Sequence, residues 1–436
     1  MGVAPRPSDQ LVAVVFCDVG LILALSLLLG ALARRFRQPA VIGEIVAGIA
    51  LGPSLLGLLP GDLPARIFPA DSRTQLTVLA QLGLALFMFG VGYEADPGRL
   101  RQEGRTVAVV SAGSIALPFV LGFGAGLALH PHFGVVAGRP VPTVALALFL
   151  GAAMSITAFP VLARILTERG LRRSRLGALA LSCAAVNDLV AWCLLAVVVA
   201  IVSDGGSVSL VATLAGSAVF LAALAGLVAP GVRRLAGSGW AARQGRSVLV
   251  GLAVIGVLGC AAATARVGLH PVFGAFAFGV VVPRERVEQV VPGFGATVEQ
   301  LSTVLLPVFF VVTGLTVDLW RLGSAGVLAL LLVLPVAVAG KLFGAAGAAR
   351  LAGLDRRQSW TVGLLMNARG LTELIILSIG RQLGILDAGL FTIMVIMALV
   401  TTVMTGPLLE RVYPPRVQLP DEAPPGPDVA AVPEPR

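Results

Sequence analysis

Residues 142–166 read PTVALALFLGAAMSITAFPVLARIL and predict a membrane-spanning helix that is interrupted in its middle. Pro160 lacks a backbone N–H and disfavours helix at the residue before it, so we expect a break within Ser155–Pro160. Residues 359–380, SWTVGLLMNARGLTELIILSIG, contain a second polar interruption over Asn367–Gly370. The alternative explanation for each is a simple proline kink or a packing glycine.

The rest of the chain has the composition of a membrane protein. Its 436 residues are 57% hydrophobic and 13% charged, with a mean hydropathy of +0.94, whereas a soluble domain is about 25% charged. Because a spanning helix needs about 20 apolar residues, the sequence predicts an all-α polytopic protein with 13 transmembrane helices. The predicted spans cover residues 11–33, 39–59, 75–93, 106–129, 142–166, 176–202, 208–232, 247–265, 269–282, 298–317, 323–349, 359–380 and 388–410.

The distribution of arginine predicts the orientation of these spans. Most arginines lie in alternate loops, and cytoplasmic loops hold the excess of basic residues. This pattern predicts an N-terminus outside and a C-terminus inside. The arginines form no basic domain, so the net charge of +9 does not indicate nucleic acid binding. Residues 413–436 are rich in proline and acidic residues and predict a disordered cytoplasmic tail.

The two interrupted segments are the fifth and twelfth predicted spans. They are seven crossings apart, and an odd offset gives them opposite orientations in the membrane. Broken helices at corresponding places in two inverted repeats are the sequence pattern of a transporter's binding site. The pattern therefore predicts a site for a transported ligand at the two breaks.

Charged residues inside the spans are the first candidates for this site, because a charge in the bilayer is costly and usually serves transport. Asp188 lies near the middle of the sixth span, in the run LSCAAVNDLVAWCLL. A structural aspartate that neighbouring polar groups satisfy is the alternative. Asn187 precedes Asp188 and can supply an amide oxygen to a ligand, or it serves helix packing alone.

Lys341, in the eleventh span, is the only lysine in the chain. A lysine ammonium can lose its proton when it is desolvated, whereas an arginine guanidinium keeps its proton. The choice of lysine at this one position therefore favours a titratable cation. The alternative is that Lys341 extends to the cytoplasmic surface near Arg350.

The interruptions supply further polar candidates. Thr157 offers a hydroxyl oxygen at the first break, where freed backbone carbonyls can also bind a hard cation. Arg369 and Glu373, at the second break, are four residues apart on one helical face and can form an ion pair. Together with Lys341, this pair is expected to compensate charge or to provide a second proton site.

Six motifs resemble those of the monovalent cation:proton antiporter superfamily, in the branch that contains Kef, NapA and the plant CHX exchangers. The resemblance covers nearly all of residues 30–412. The motifs are QPAVIGEIVAGIALGPSLLG from Gln38, GLALFMFGVGYEAD from Gly83, MSITAFPVLARIL from Met154, AAVNDLVAW from Ala184, HPVFGAFAFGVVVPR from His270 and LLMNARGLTELIILSIG from Leu364.

The resemblance implies a fold of 13 helices in which a mobile core domain moves against a dimerisation domain. Two broken helices of the core are expected to cross at the ion site. It assigns residues 106–202 and 323–410 to the core, 11–93 and 247–317 to dimerisation, and 208–232 to a linker helix. A homodimer is therefore expected.

The resemblance also implies roles for individual residues. Asp188 matches the carboxylate that binds the cation and the proton, Asn187 the residue before it, and Thr157 the polar residue at the first break. Lys341 falls on a mid-membrane lysine. Electrogenic members have two aspartates where this chain has asparagine and aspartate, so we expect an electroneutral, one-for-one exchange.

These observations predict a secondary active antiporter that exchanges K⁺, Na⁺ or both for H⁺ by alternating access, with both ligands competing for Asp188. Burying the ionised carboxylate unpaired is costly, so the core should reorient only when Asp188 holds a proton or a cation. Motifs near Met154 and Ala184 look closest to the CHX exchangers, which favours K⁺. No cofactor and no resident metal are expected, and the expected location is the bacterial inner membrane, with the lipid bilayer as the surroundings.

Two other transport activities stay open, because fold alone does not fix function. One is a cation channel or efflux protein, and the other is a solute:Na⁺ symporter on a similar fold. An enzyme is not expected, since the HExxH and GxGD motifs of intramembrane hydrolases are absent from the sequence.

Overall fold

The computed structural model describes residues 7–94, 104–171, 174–202, 206–240 and 243–413. Most of the predicted tail at 413–436 lies outside these ranges. The described part of the chain is helical apart from turns, short 3₁₀ segments and a small hairpin that pairs Val135–Val136 with Arg139–Pro140. The prediction of a mostly helical membrane protein is therefore confirmed.

Eighteen helices follow one another in the described ranges. They are α1 (Pro7–Arg35), α2 (Ala40–Leu51), α3 (Leu63–Ile67), α4 (Ala70–Glu94), α5 (Gly104–Phe133), α6 (Thr143–Ser155), α7 (Phe159–Glu168), α8 (Arg175–Val202), α9 (Gly206–Ala223), α10 (Ala229–Ala236), α11 (Arg246–Val267), α12 (Pro271–Val281), α13 (Arg284–Val290), α14 (Phe294–Gly314), α15 (Gly323–Leu351), α16 (Arg356–Met366), α17 (Leu371–Gln382) and α18 (Ala388–Val412).

Ten helical segments of the described ranges are long and apolar enough to cross a membrane. Three predicted spans are not among the ten. One is the short span at Pro271–Val281, and the other two are the interrupted segments, each of which forms two short helices. The predicted linker helix is continuous, because a π-helical turn at Leu224–Val228 joins α9 to α10.

The helices pack in two groups. In the first group, α14 packs against α4, α2 and α1, while α12 packs against α4 and α11. In the second group, α5 packs against α6, α8 and α15, and α18 packs against α15, α16 and α17. All four halves of the interrupted segments belong to the second group.

Two glycines bring α15 close to α5 in the second group. A Cβ atom at Gly340 would lie 2.8 Å from Pro118 Cα, and one at Gly344 would lie 2.5 Å from the Gly113 carbonyl oxygen. Small residues of this kind allow membrane helices to approach closely. Lys341 lies between the two glycines in sequence, so this contact carries its side chain into the interior of the group.

Candidate functional site

The two helix breaks meet at the centre of the second group. Helix α6 ends at Ser155 and α7 begins at Phe159, while α16 ends at Met366 and α17 begins at Leu371. The backbone N–H of Ala158 in the first break donates to the Ala368 carbonyl in the second break at 3.1 Å. The breaks are therefore directly hydrogen-bonded to each other.

Local sequence explains both restarts. Pro160 lies in the first turn of α7, where a missing N–H costs no helical hydrogen bond. The helix restarts at Phe159, one residue earlier than the proline alone predicts. Gly370 precedes α17 with a φ of 153°, and a Cβ atom there would lie 2.8 Å from Val161 Cγ2. Glycine is the residue that adopts this conformation and fits this space.

Asp188 lies in α8 and is 4% exposed. Its carboxylate accepts hydrogen bonds from the Phe159 backbone N–H and from the Thr372 side chain. Both donors lie in the first turn of a half-helix, α7 and α17, where the helix dipoles favour negative charge. Within the described residues, Asp188 Oδ1 has no hydrogen-bond partner. One buried carboxylate oxygen is thus free to receive a ligand.

Lys341 is fully buried and uses its three N–H donors inside the protein. Its Nζ atom donates to the Ser114 carbonyl at 3.0 Å, to the Ser155 carbonyl and to Thr157 Oγ1 at 2.8 Å. Ser155 is the last residue of α6, so the ammonium lies at the negative end of that half-helix. The alternative in which Lys341 extends to the surface is therefore wrong.

Thr157 and Asn187 connect Lys341 to the second break. Thr157 Oγ1 donates to the Met366 carbonyl, at the C-terminal end of α16, at 2.8 Å. The Asn187 amide is satisfied when its oxygen faces Lys341 Nζ at 3.3 Å and Thr157 Oγ1 at 3.2 Å. Its nitrogen then donates to the Cys183 carbonyl at 3.2 Å. These contacts place Asn187, Thr157 and Lys341 in one polar cluster.

Arg369 and Glu373 form an ion pair at 3.0 Å, and both side chains are fully buried. The Arg369 guanidinium also donates to the carbonyls of Ala153 at 3.2 Å and Met154 at 2.7 Å. These carbonyls are in the last turn of α6. Two cations, Arg369 of the second break and Lys341 of α15, therefore cap the C-terminal end of α6.

Two further predicted residues, Ser155 and Asn367, make hydrogen bonds away from Asp188 and Lys341. The Ser155 hydroxyl donates back to the Ala152 carbonyl at 2.8 Å, and Asn367 Nδ2 donates to the Thr401 carbonyl at 3.4 Å. Their side chains thus hold the broken ends of α6 and α16. In the described part of the chain, Asn367 Oδ1 has no partner.

Three hydroxyl residues of the site are absent from the sequence-based prediction. Ser114 Oγ contacts the Asn187 amide, Thr372 contacts Asp188, and Thr402 Oγ1 donates to the Arg369 carbonyl at 2.7 Å. A serine or threonine in an apolar helix carries no charge that would mark it. The position of Thr372, two residues after the glycine that restarts α17, is the one available sequence signal.

The oxygen atoms of this site can serve as ligands for a hard cation. Carboxylate and hydroxyl oxygens are ligands for hard cations, and the free oxygen of Asp188 lies among them. Across the described residues, no group of three or more histidine, cysteine, aspartate or glutamate side chains could hold a metal ion.

Comparison with known proteins identifies the family. Over 404 residues, the chain is 40% identical to the Na⁺/H⁺ antiporter NhaS4 of Synechocystis sp., covering 92% of this chain and 97% of the relative. It is 38% identical to cation/H⁺ antiporter 18 of Arabidopsis thaliana over 94% of this chain, which spans about half the length of that relative.

The fold also matches a solved structure. The sodium proton antiporter MjNhaP1 from Methanocaldococcus jannaschii superimposes with a TM-score of 0.64 at 15% identity, covering 92% of this chain and 99% of that one. The sequence model of the transmembrane sodium/hydrogen exchanger family matches residues 21–412. The resemblance seen in the six motifs is thereby confirmed, and the chain belongs to the sodium/hydrogen exchanger family, whose members are multi-pass membrane transporters.

Proposed function

We propose that this protein is a secondary active antiporter that exchanges a monovalent cation for H⁺, with both ligands competing for Asp188. The single observation that carries the proposal is the environment of this carboxylate in the structure. It is buried in a membrane helix, two half-helix N-termini face it, and Oδ1 is unpartnered within the described residues. A proton or a dehydrated cation can occupy the same oxygen, but the two cannot bind together.

The desolvation of Asp188 couples the two ions. Carrying a bare carboxylate through a dry barrier costs several kcal/mol, because no water and no full counter-charge compensate it. Reorientation is therefore slow when the site is empty and fast when a proton or a cation neutralises the carboxylate. Exchange of one ligand for the other is the consequence.

Lys341 acts as a fixed charge at the crossing of the broken helices. Its three hydrogen bonds use all the donors of an ammonium group. Asn187 beside it carries no charge. With one titrating carboxylate, each cycle moves one cation against one proton, so we propose an electroneutral exchange.

The two packing groups support a division into moving parts. We assign residues 106–202 and 323–410 to a core that carries the site, and residues 11–93 and 247–317 to the dimerisation domain of a homodimer. The linker at 208–232 joins them. Thirteen crossings, with the N-terminus outside, two inverted repeats and a bacterial inner membrane location complete the proposal.

The transported cation is K⁺ or Na⁺. Relatives of the chain are named as Na⁺/H⁺ and cation/H⁺ antiporters. Oxygen ligands suit either ion, and the motifs around Met154 and Ala184 favour K⁺. Arg369 and Glu373 neutralise each other, so they compensate charge in the core.

The test is proton movement in sealed proteoliposomes that are challenged with K⁺, Na⁺ or an organic solute. An antiporter moves protons in the opposite direction to K⁺ or Na⁺, in fixed proportion and with no added solute. Cation flux without stoichiometric proton counterflow would identify a channel, and proton-independent flux that needs an organic solute would identify a symporter.

A further inference from the structure

The free oxygen of Asp188 raises the question of which neutral group completes the cation site. A dehydrated K⁺ or Na⁺ needs several oxygen ligands in place of its water shell. Three side chains with a neutral oxygen contact either Asp188 or Lys341, and they are Thr157, Asn187 and Thr372. Their existing contacts separate them.

Thr157 is already engaged. Its hydroxyl donates to the Met366 carbonyl at 2.8 Å and accepts from Lys341 Nζ at 2.8 Å. The Asn187 oxygen faces the same ammonium at 3.3 Å. A cation on either oxygen would lie beside the lysine charge and be repelled by it. Both groups therefore serve Lys341 and the junction of the breaks.

Thr372 has none of these contacts. It is 3% exposed and lies in the first turn of α17. Its hydrogen bond to the Asp188 carboxylate is the one contact that the described part of the chain gives its hydroxyl. The two lone pairs of the hydroxyl oxygen are thus available next to the carboxylate.

We propose that Thr372 is a specificity-determining ligand, whose hydroxyl oxygen binds the transported cation beside Asp188. This inference rests on the proposed antiport function and deepens it. The hydroxyl can donate a hydrogen bond to one carboxylate oxygen of Asp188. Its lone pairs can then face a cation that is bound at the second carboxylate oxygen. When Asp188 is protonated instead, the oxygen of the same hydroxyl can accept a hydrogen bond from the carboxylic acid O–H. Thr372 therefore serves both loaded states.

The Thr372 hydroxyl is expected to affect cation binding but not the reorientation of the loaded core. Loss of the hydroxyl removes one ligand of the cation but leaves the carboxylate, the breaks and Lys341 in place. The cation half-saturation concentration should rise, whereas turnover at saturating cation should change little. The ratio of half-saturation values for K⁺ and Na⁺ should also change, because the two ions differ in size and hydration.

The test compares Thr372→Val, which keeps the shape, with Thr372→Ser, which keeps the hydroxyl. Thr405→Val is a matched control, since Thr405 is equally buried and donates to the Thr401 carbonyl in its own helix. We expect Thr372→Val to raise the cation half-saturation concentration about tenfold, with maximal exchange within about twofold of the wild type. Thr372→Ser and the control should stay close to the wild type.

Two results would overturn the proposal. One is an unchanged half-saturation concentration in Thr372→Val, and the other is an equal defect in Thr372→Val and Thr372→Ser, which would indicate packing alone. If Thr372→Val does not reach the membrane, Thr372→Ala takes its place, and K⁺- or Na⁺-induced thermal stabilisation of purified protein replaces transport. If Thr372→Val leaves the cation half-saturation concentration unchanged and Asp188→Asn abolishes exchange, the role of Thr372 is refuted. The antiport proposal is then still supported.

Discussion

The backbone N–H of Ala158 donates to the carbonyl of Ala368 at 3.1 Å, so the two helix breaks are joined at their centres. Thr157 Oγ1 adds a second link, to the Met366 carbonyl at 2.8 Å. Backbone groups that are freed in a membrane interior need partners, and each break supplies them to the other. The two breaks should therefore respond as one unit to a change in either.

The variant Gly370→Ala tests whether a change in the second break also disturbs the first. A methyl group would meet Val161 across the junction, and the φ of 153° is strained for alanine by about 1–3 kcal/mol. We expect a lower melting temperature in detergent and a loss of most exchange activity. Gly347→Ala is the matched control, because within the described residues no atom outside its own stretch of helix lies within 4 Å of a Cβ built there. Equal behaviour of the two variants would contradict the assigned role of Gly370.

Asp188→Asn should abolish exchange while the protein still folds and inserts. The amide keeps the shape of the carboxylate but cannot titrate or neutralise a cation. Exchange of K⁺ or Na⁺ for H⁺ in proteoliposomes is the measurement, with Asp62→Asn as an exposed control that also tolerates its positive φ of 49°. Near-normal exchange by the Asp188→Asn protein would show that the site is elsewhere.

The charged parts of the site could be predicted from sequence because their cost in a membrane makes them conspicuous. Asp188 and Lys341 interrupt apolar spans, and proline or glycine marks each break. The depth of Lys341 could not be predicted, since its distance from Arg350 allowed either a buried or a surface ammonium. The close approach of α15 to α5, which Gly340 makes possible, buries the Lys341 side chain.

Three hydroxyl groups of the site, those of Ser114, Thr372 and Thr402, could not be predicted for a different reason. A buried threonine usually donates to a carbonyl of its own helix, as Thr405 does. Whether Ser114, Thr372 or Thr402 reaches another helix depends on tertiary packing. Sequence alone therefore identifies the charges of this site and the neutral oxygens next to its motifs, those of Thr157 and Asn187, but not the hydroxyl groups that other helices supply.

Electroneutral exchange predicts insensitivity to voltage. In the proposed mechanism one carboxylate titrates, while Asn187 is neutral and the three donors of Lys341 are engaged. A membrane potential set by an ion that the protein does not carry should leave the equilibrium cation gradient unmoved. A gradient that follows the voltage would mean that a second proton moves, and Lys341→Gln would then show whether the lysine carries it.

Glu410 links the connection between α1 and α2 to the second helix group. It pairs with Arg37 at 2.8 Å and with Arg169 at 2.7 Å. Arg37 adopts a φ of 56°, a conformation that favours glycine, so its side chain is kept at some backbone cost. The contact joins the two bodies that we propose to move.

Glu410→Gln should change the rate of exchange more than the stability. Ion pairs at the protein surface contribute about 0.2–1 kcal/mol each, and the Glu410 side chain is partly exposed, so the melting temperature should shift little. Turnover should change by about two- to fivefold, because 1 kcal/mol alters an equilibrium by about fivefold. The cation half-saturation concentration should stay constant. Glu285→Gln, at another exposed glutamate, is the control, and identical turnover in both variants would exclude a role for this contact in movement.

The most direct test of the central claim is the cation half-saturation concentration of the wild-type protein, measured in proteoliposomes over a series of pH values. If the proton and the cation share Asp188, a fall in pH protonates more of the carboxylate and leaves less of it for the cation. The half-saturation concentration should then rise as pH falls, approaching about tenfold per pH unit in the acidic limit. A half-saturation concentration that stays constant while the exchange rate still varies with pH would mean separate sites and would contradict the account.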